Sequence, residues 1–293
     1  MFDPEGLNCL RARVSAGWIV DRLEALDFAA AGLPFETFRE PVSINLHEDN
    51  GNHQVAVIDA DYLEGWARHI AYSMRVRMRS LEPGIVNELS SGRVLAAQVL
   101  LRSHLEASAM SVLCLVTLRQ RDREELARLI PQTLFGTALF NKGKHDERVA
   151  EWLSFSSART ITITRAIQAL QEFAYPDGGP DNTSLAYALL CEASHPNHGG
   201  TRQFVTTEEV DQSGEQGWFI TYTPTEEVSM VVIERLSELL LFSMSSGYGA
   251  TETLRNMQFF DTDDEVATGV ATSVARFIWD TFLMQARPPG VSA

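Results

Sequence analysis

The longest apolar tract of the chain, Val94 to Leu118, constrains the fold more than any other feature. Three polar residues, Arg102, His104 and Glu106, lie near its middle. An arginine at the centre of a membrane-spanning helix costs roughly 2.5 to 3.5 kcal/mol on insertion scales, and the other two groups are also costly there. The tract is therefore predicted to be a core helix of a soluble protein, and no membrane association is expected.

Apolar residues recur at helical spacing along most of the chain, which predicts a mainly α-helical protein. Helix ends are indicated by capping residues at the start and by proline or glycine at the stop. Firm stops are expected at Pro83-Gly84 and at Ser245 to Gly249. The predicted helices cover 3–32, 61–81, 91–117, 122–131, 146–153, 184–195, 223–244 and about 262–287. The segment 157–173 fits either a β-strand or a helix, and its length favours the helix.

Two stretches of β-prone residues flank polar turns and predict small β-hairpins. The first turn contains Asn50-Gly51, a pair that favours the tight turn of a hairpin, and the second runs from Asp211 to Gln216. The expected strands are 42–47, 54–59, 202–210 and 217–223. The predicted fold class is all-α in the main, an up-and-down helical bundle with one or two small β-hairpins. One domain is expected over 1–293, since no long linker or repeat interrupts it.

The charge balance argues against nucleic acid as a partner. The chain carries 39 acidic and 24 basic residues, a net charge of -15, so its average field repels polyphosphates. Binding of nucleic acid would need a local basic patch, and the arginines that could form one are interpreted as solvated helix faces or helix ends. These arginines are Arg75, Arg77 and Arg79, and then Arg119, Arg121, Arg123 and Arg128.

The three cysteines indicate a reducing compartment. Cys9, Cys114 and Cys191 form an odd set without CxxC spacing, each inside an apolar helical pattern, so buried free thiols are expected. The first residues contain no cationic leader followed by an apolar run, so no signal peptide is predicted. Both observations favour a cytoplasmic location.

The candidate site lies where a predicted helix ends at His195, followed by Pro196-Asn197-His198-Gly199-Gly200. In a structural interpretation, Pro196 disfavours a helical conformation of His195, and these residues serve only to end the helix. In a functional interpretation, the polar residues after the helix meet a face of the core helix and form a ligand-binding pocket. The candidate ligand-binding residues are Arg102, Glu106, Glu192, His195, Asn197 and His198.

A metal site is one version of the functional interpretation. His195 and His198 are three positions apart, as in many ligand pairs, and Glu106, His104 or Cys191 could complete the coordination sphere of a metal-dependent hydrolase. The pair straddles a proline, however, so the two histidines do not share a helical face as they do in HExxH. Neither a metal nor another cofactor is therefore the leading expectation.

Arg102 and Glu106 share one face of the core helix, because they are four positions apart. An isolated buried charge is costly, so we expect either an ion pair or an arrangement in which Arg102 receives an anionic ligand and Glu106 orients His195. No GxSxG, Walker loop or GxGxxG motif occurs, so catalysis is not the leading expectation.

The segments Leu101 to Glu106 and Tyr187 to Asn197, with a predicted ribbon and helix after them, resemble the HEPN-like helical proteins of bacteria. The resemblance covers about 92–248. Many such proteins are uncharacterised, and some accompany toxin–antitoxin or phage-defence systems. It implies an up-and-down helical core, frequent dimerisation and, in active members, metal-independent RNA cleavage by an arginine and a histidine separated by four to six residues.

This chain departs from the cleavage motif, because the positions five to seven places before His195 are Leu190, Leu189 and Ala188. The leading expectation is a non-catalytic binding or regulatory module. It is expected to form a homodimer and to be able to bind a further protein. One alternative is an RNA-cleaving toxin-type enzyme in which Arg102, from another helix, acts with His195. The second alternative is the metal-dependent hydrolase.

Overall fold

The computed structural model describes residues 1–31, 44–49, 53–58, 63–120, 129, 133, 136–137, 158–159, 162–175, 181–195, 204–212, 215–222 and 228–256. These residues are mainly helical, as the apolar spacing predicts. The helices are α1 (Pro4–Arg11), α2 (Trp18–Ala31), α3 (Leu63–Ser91), α4 (Val94–Gln120), α5 (Ile163–Ala174), α6 (Asn182–Ser194) and α7 (Met230–Asn256).

Short strands pair two by two between the helices. The antiparallel pairs are β1 (Ile44–Asp49) with β2 (His53–Ile58), and β5 (Val205–Gln212) with β6 (Glu215–Tyr222). A two-residue parallel pair joins β3 (Gly136–Thr137) to β4 (Ala158–Arg159). Several predicted elements lie outside the described residues: the turns at 50–52 and 213–214, the helices at 146–153 and 262–287, and the helix start at 223–226. Of the helix predicted at 122–131, only Leu129 is described.

The chain groups into two compact units. Unit 1 comprises 1–33, 79–105 and 181–243, and unit 2 comprises 34–78, 106–180 and 244–293. The single domain predicted over 1–293 stays a prediction. Both units contain buried apolar side chains, and full burial of one such side chain contributes about 1.5 to 3 kcal/mol. In unit 1 these include Leu10, Ile19, Leu23, Ile85, Leu89, Leu101 and Leu105, and in unit 2 Trp66, Ile70, Met78, Leu115, Leu170 and Leu254.

The predicted core helix is α4, and most of it is buried. Among the described residues, its segment Val94–Leu118 is the one helical stretch long and apolar enough by length and composition to cross a membrane. In an 18-residue window of this segment, 61% of the residues are buried inside the protein. A mostly buried core helix meets the same two criteria.

The prediction that α3 ends before Pro83-Gly84 is wrong, because α3 continues through Pro83 to Ser91. A proline inside a helix lacks one backbone donor and costs about 3 kcal/mol. The next turns bury Ile85, Val86 and Leu89, and this burial offsets the cost.

Gly92 ends α3 instead. Its φ of 75° lies in the left-handed region, which a side chain disfavours. The Gly92 N–H donates to the Leu89 carbonyl at 3.1 Å, and the Arg93 N–H donates to the Glu88 carbonyl at 2.9 Å. These two bonds are those of a Schellman motif, which satisfies the last carbonyls of the helix and lets α4 begin at Val94.

The predicted break at Ser245 to Gly249 is also wrong, because α7 runs unbroken to Asn256. Gly247 serves close packing instead of a turn. A Cβ atom built on Gly247 would lie 2.4 Å from the Met78 sulfur and 3.1 Å from Ser108 Cβ. In unit 2 the small residue therefore lets α7 approach side chains of α3 and α4.

The single N-terminal helix predicted over 3–32 is instead two helices, α1 and α2. Its predicted start is confirmed, since the Asp3 carboxylate accepts the N–H groups of Glu5 and Gly6 at 3.4 and 3.1 Å. Between the helices, the Glu234 carboxylate accepts the Ser15 N–H at 2.6 Å, the Ala16 N–H at 3.1 Å and the Ser15 hydroxyl. Glu234 thus satisfies donors that a continuous helix would have used, so the chain can turn.

Glu234 should make stability depend on pH in the acid range. The Ser15 hydroxyl, and then the backbone donors, lower the pKa of Glu234 below its usual 4.5. Because the folded pKa is depressed, the stabilisation is present above the unfolded pKa and is lost as the pH falls through the folded one. Urea unfolding between about pH 3 and 7 should show a steeper acid loss for wild type than for Glu234→Gln. Ser15→Ala should fall between them, and equal acid slopes for wild type and Glu234→Gln would refute this role.

Candidate functional site

The predicted end of the helix at His195 is confirmed. Ser194 is the last residue of α6, and His195 has extended backbone, with φ -95° and ψ 144°. Its N–H donates to the Glu192 carbonyl at 3.2 Å, and both side chains are exposed. Asn197 and His198 lie outside the described residues. The described part of the candidate site is therefore an open helix end.

Arg102 packs against the middle of α6. Its guanidinium carbon lies 5.7 Å from the centre of the Tyr187 ring, a cation–π distance. Tyr187 precedes His195 by eight positions, which is about 12 Å along a helix axis at 1.5 Å per residue. The contact that holds the Arg102 guanidinium is thus about two helical turns from His195.

Glu106, the other core-helix candidate, is partly buried in unit 2. Its carboxylate lies 3.9 Å from the guanidinium of Arg77, whose side chain is half exposed. A pair of this length and exposure contributes about 1 kcal/mol or less. The described contact of Glu106 is therefore a weak ion pair, one of the two alternatives expected for this residue.

The other two arginines of the predicted basic stretch face carboxylates in the interior. Successive positions two apart on a helix differ by about 200° in direction, so Arg75 and Arg79 share a face that Arg77 does not. Arg75 pairs with Glu252 at 3.2 Å, and Arg79 pairs with Asp27 at 2.5 Å. The interpretation of these two arginines as solvated is therefore wrong, because both are held inside the fold by carboxylates.

Sequence reasoning did not find a buried polar network that lies in unit 1. Arg79 Nη1 donates to Asp27 Oδ1 at 2.5 Å and to Glu82 Oε2 at 2.9 Å. Asp27 Oδ2 also accepts the Phe2 N–H at 2.6 Å. Two buried carboxylates therefore share one guanidinium, and one of them also ties the N-terminal residues to α2.

His104 extends this network to α7. Its Nε2 lies 3.1 Å from Glu82 Oε1, and its Nδ1 lies 2.7 Å from Ser243 Oγ. The order serine, histidine, carboxylate is that of a hydrolase triad. All three side chains are fully buried, however, and Ser243 lies inside a continuous helix, so a substrate carbonyl has no approach to Oγ. The arrangement is a structural network that satisfies buried polar groups.

A sequence signal for this network exists in the spacing of α3. Met78, Glu82, Ile85 and Leu89 follow one another at intervals of four, three and four, and all are fully buried. A glutamate on such an apolar stripe must find a cationic or hydrogen-bonding partner. His104, considered above only as an interruption of α4 and a possible metal ligand, is that partner.

The cysteines are free and differ in exposure. Cys114 is buried, and burial raises the pKa of its thiol to about 12, so it is not a thiolate nucleophile near neutral pH. Cys191 is half-buried. Cys9 is exposed, so the expectation that all three thiols are buried is wrong, because Cys9 lies on the outer side of the short helix α1.

Within the described ranges, no group of three or more histidine, cysteine, aspartate or glutamate side chains has the geometry to hold a metal ion. No protein-family model, curated protein or solved structure matches this chain.

Proposed function

We propose that the protein is a non-catalytic binding or regulatory module that acts as a homodimer through the outer face of α6. The observation that carries the proposal is an apolar stripe on that face. Leu185 and Leu189 are each 60% exposed, and Ala188 between them is exposed as well. The stripe leads directly to the exposed side chains of Glu192 and His195.

The inner face of α6 is already occupied. Thr183, Leu190 and Ala193 are buried there, so α6 is apolar on two sides. An exposed apolar patch on a protein surface often marks an interaction site. Covering the two leucines would contribute about 1.5 to 3 kcal/mol for each side chain that becomes fully buried.

A second copy of the chain fits this face by symmetry. A two-fold interface brings the same patch of both copies together, and a small residue at its centre lets two helices approach closely. In an antiparallel pairing centred on Ala188, His195 faces Asp181 of the second copy, because both are seven positions from Ala188. Histidine and aspartate have complementary charge or hydrogen-bonding character, so the ends of the stripe favour this orientation.

The molar mass in solution tests the proposal. Sedimentation equilibrium should give twice the chain mass of 32.6 kDa for wild type. Leu189→Glu should weaken dimerisation about a hundredfold or more, because a charge would be buried in the apolar centre of the interface. Phe28→Glu is the matched control, since Phe28 is 77% exposed on α2 and outside the stripe. A monomeric wild type, or a Leu189→Glu variant that dimerises normally, would refute the proposal.

The proposed dimer is a cytoplasmic, HEPN-like up-and-down bundle carrying two small β-hairpins, with a polar ligand or protein partner held near Glu192 and His195. Binding is favoured over RNA cleavage, because the Tyr187 ring holds the Arg102 guanidinium about two turns from His195. A general acid–base pair must reach the same reacting group within hydrogen-bonding distance.

A further inference from the structure

Unit 2 contains two arginines that share one carboxylate. Arg75, on α3, donates from Nη1 to Glu252 Oε2 at 3.2 Å, and Arg255, on α7, donates from Nη2 to Glu252 Oε1 at 2.5 Å. The Arg75 guanidinium also lies over the Tyr248 ring, 5.6 Å from its centre. Both oxygens of Glu252 are thus engaged, and two positive groups face one negative group.

Arg75 keeps a complete hydrogen-bonding edge without a partner. Its side chain is only 5% exposed, yet its Nε and Nη2 atoms are buried and have no hydrogen-bond partner among the residues that the structure describes. The Arg255 Nε atom is also buried and has no hydrogen-bond partner among the described residues. Buried donors are normally satisfied, so each of these atoms requires an explanation.

The two unsatisfied atoms of Arg75 lie on the same side of the guanidinium group. Nε–H and the adjacent Nη2–H point in parallel, and this fork matches the two oxygens of a carboxylate or a phosphate group. The edge that Arg75 presents therefore matches the geometry of an oxyanion.

The charge of the cluster agrees with this geometry. Arg75, Arg255 and Glu252 sum to one positive charge, in a chain whose net charge is -15. The Glu252 hydrogen bond raises the pKa of Arg255, so this second guanidinium stays charged at neutral pH. The side chains of Glu252 and Arg255 are 26% and 24% exposed, so the cluster lies close to solvent.

We propose that the Nε and Nη2 edge of Arg75 is an oxyanion-binding site that takes a carboxylate or phosphate group in two parallel hydrogen bonds, with Arg255 as the second cation. The site lies in unit 2 and is independent of the α6 face. Its ligand class is defined by two oxygens of one small anion, because both donors belong to one planar group.

Thermal unfolding in the presence of added anions tests the site. Inorganic phosphate and acetate are titrated separately, with sodium chloride adjusted to keep the ionic strength constant. The wild-type midpoint should rise with the logarithm of the concentration of at least one anion once that concentration exceeds the dissociation constant. A general salt effect gives no such rise at constant ionic strength. A response to phosphate alone identifies a phosphate site, a response to acetate alone identifies a carboxylate site, and a response to both supports either group.

Arg75→Lys removes the two-donor edge and keeps the charge, so it should weaken the apparent affinity about tenfold or more. Arg77→Lys is the matched control on the same helix, since Arg77 is half exposed and faces Glu106, and its affinity should equal that of wild type. Arg255→Lys gives a second variant if Arg75→Lys does not fold. An unfolding midpoint that responds to neither anion, or a response of Arg75→Lys equal to that of wild type, would overturn the proposal.

A measurement on the wild-type protein tests the site without requiring that any variant folds. In protein labelled with nitrogen-15 at arginine, the buried Nε–H signals should shift with phosphate or acetate over the same concentration range as the unfolding midpoint. Signals that remain fixed at saturating anion would overturn the site as well.

Discussion

Glu82→Ala should lower the free energy of unfolding by about 3 to 5 kcal/mol, the range found when one partner of a buried ion pair is removed. Glu82 is fully buried between Arg79 and His104, at 2.9 and 3.1 Å. Its removal takes one of two carboxylates from the Arg79 guanidinium and leaves a buried ring nitrogen of His104 without its carboxylate. Urea unfolding near neutral pH measures the loss, which should appear as a lower midpoint at similar slope.

The pair Arg235–Glu238 provides a matched control for Glu82→Ala. It has the same spacing of three on a helix, but its side chains are 71% and 33% exposed. An exposed pair contributes about 1 kcal/mol or less, so Glu238→Ala should be nearly neutral. Equal losses for Glu82→Ala and Glu238→Ala would show that burial of the network adds nothing to its stability.

Gly247→Val should destabilise the fold by about 3 kcal/mol or more, because it overpacks a closed helix contact. The first added carbon would already lie 2.4 Å from the Met78 sulfur and 3.1 Å from Ser108 Cβ. Met78 and Ser108 are fully buried, so neither side chain can move into solvent. Thermal and urea unfolding should both report the loss.

Two further variants separate overpacking from the loss of a glycine. Gly17 has no atom within 4 Å of its would-be Cβ, so Gly17→Val should change stability by only about 0.5 kcal/mol. Met78→Ala should partly rescue Gly247→Val, with a coupling free energy of roughly 0.5 to 3 kcal/mol in a double-mutant cycle. Strict additivity of the two substitutions would contradict the close contact.

The helical character of the chain could be predicted from sequence because apolar spacing reports which face is buried. The end of α6 at His195 could also be predicted, since Pro196 acts on its immediate neighbour. Local sequence signals predicted helix ends wrongly where contacts with a distant part of the chain determine whether the helix continues. Pro83 is tolerated because the following turns are buried, and the break before α2 depends on Glu234, which is 219 positions from Ser15.

Glycine-rich sequence was misleading in α7 for a similar reason. Ser245 to Gly249 favours a turn by local propensity, but Gly247 is small because Met78 and Ser108 approach it. Sequence alone does not distinguish a glycine that frees the backbone from one that makes room for a neighbour. The distinction requires knowledge of which helices are adjacent.

The candidate site was predicted only in part. The exposed end of α6 could be located, but the partners of Arg102 and Glu106, Tyr187 and Arg77, depend on which helices are adjacent. The buried network left a weaker sign in the sequence. Glu82 interrupts an apolar stripe, and this shows that a partner must exist without showing that His104 is the partner.

The His104 contacts also fix an order in which the network can form during synthesis. His104 is 22 positions from Glu82 but 139 positions from Ser243. At a translation rate of about 5 to 20 residues per second, Ser243 is made about 7 to 28 s after His104. The imidazole and its carboxylate are therefore both present in the growing chain well before the hydroxyl that completes the network.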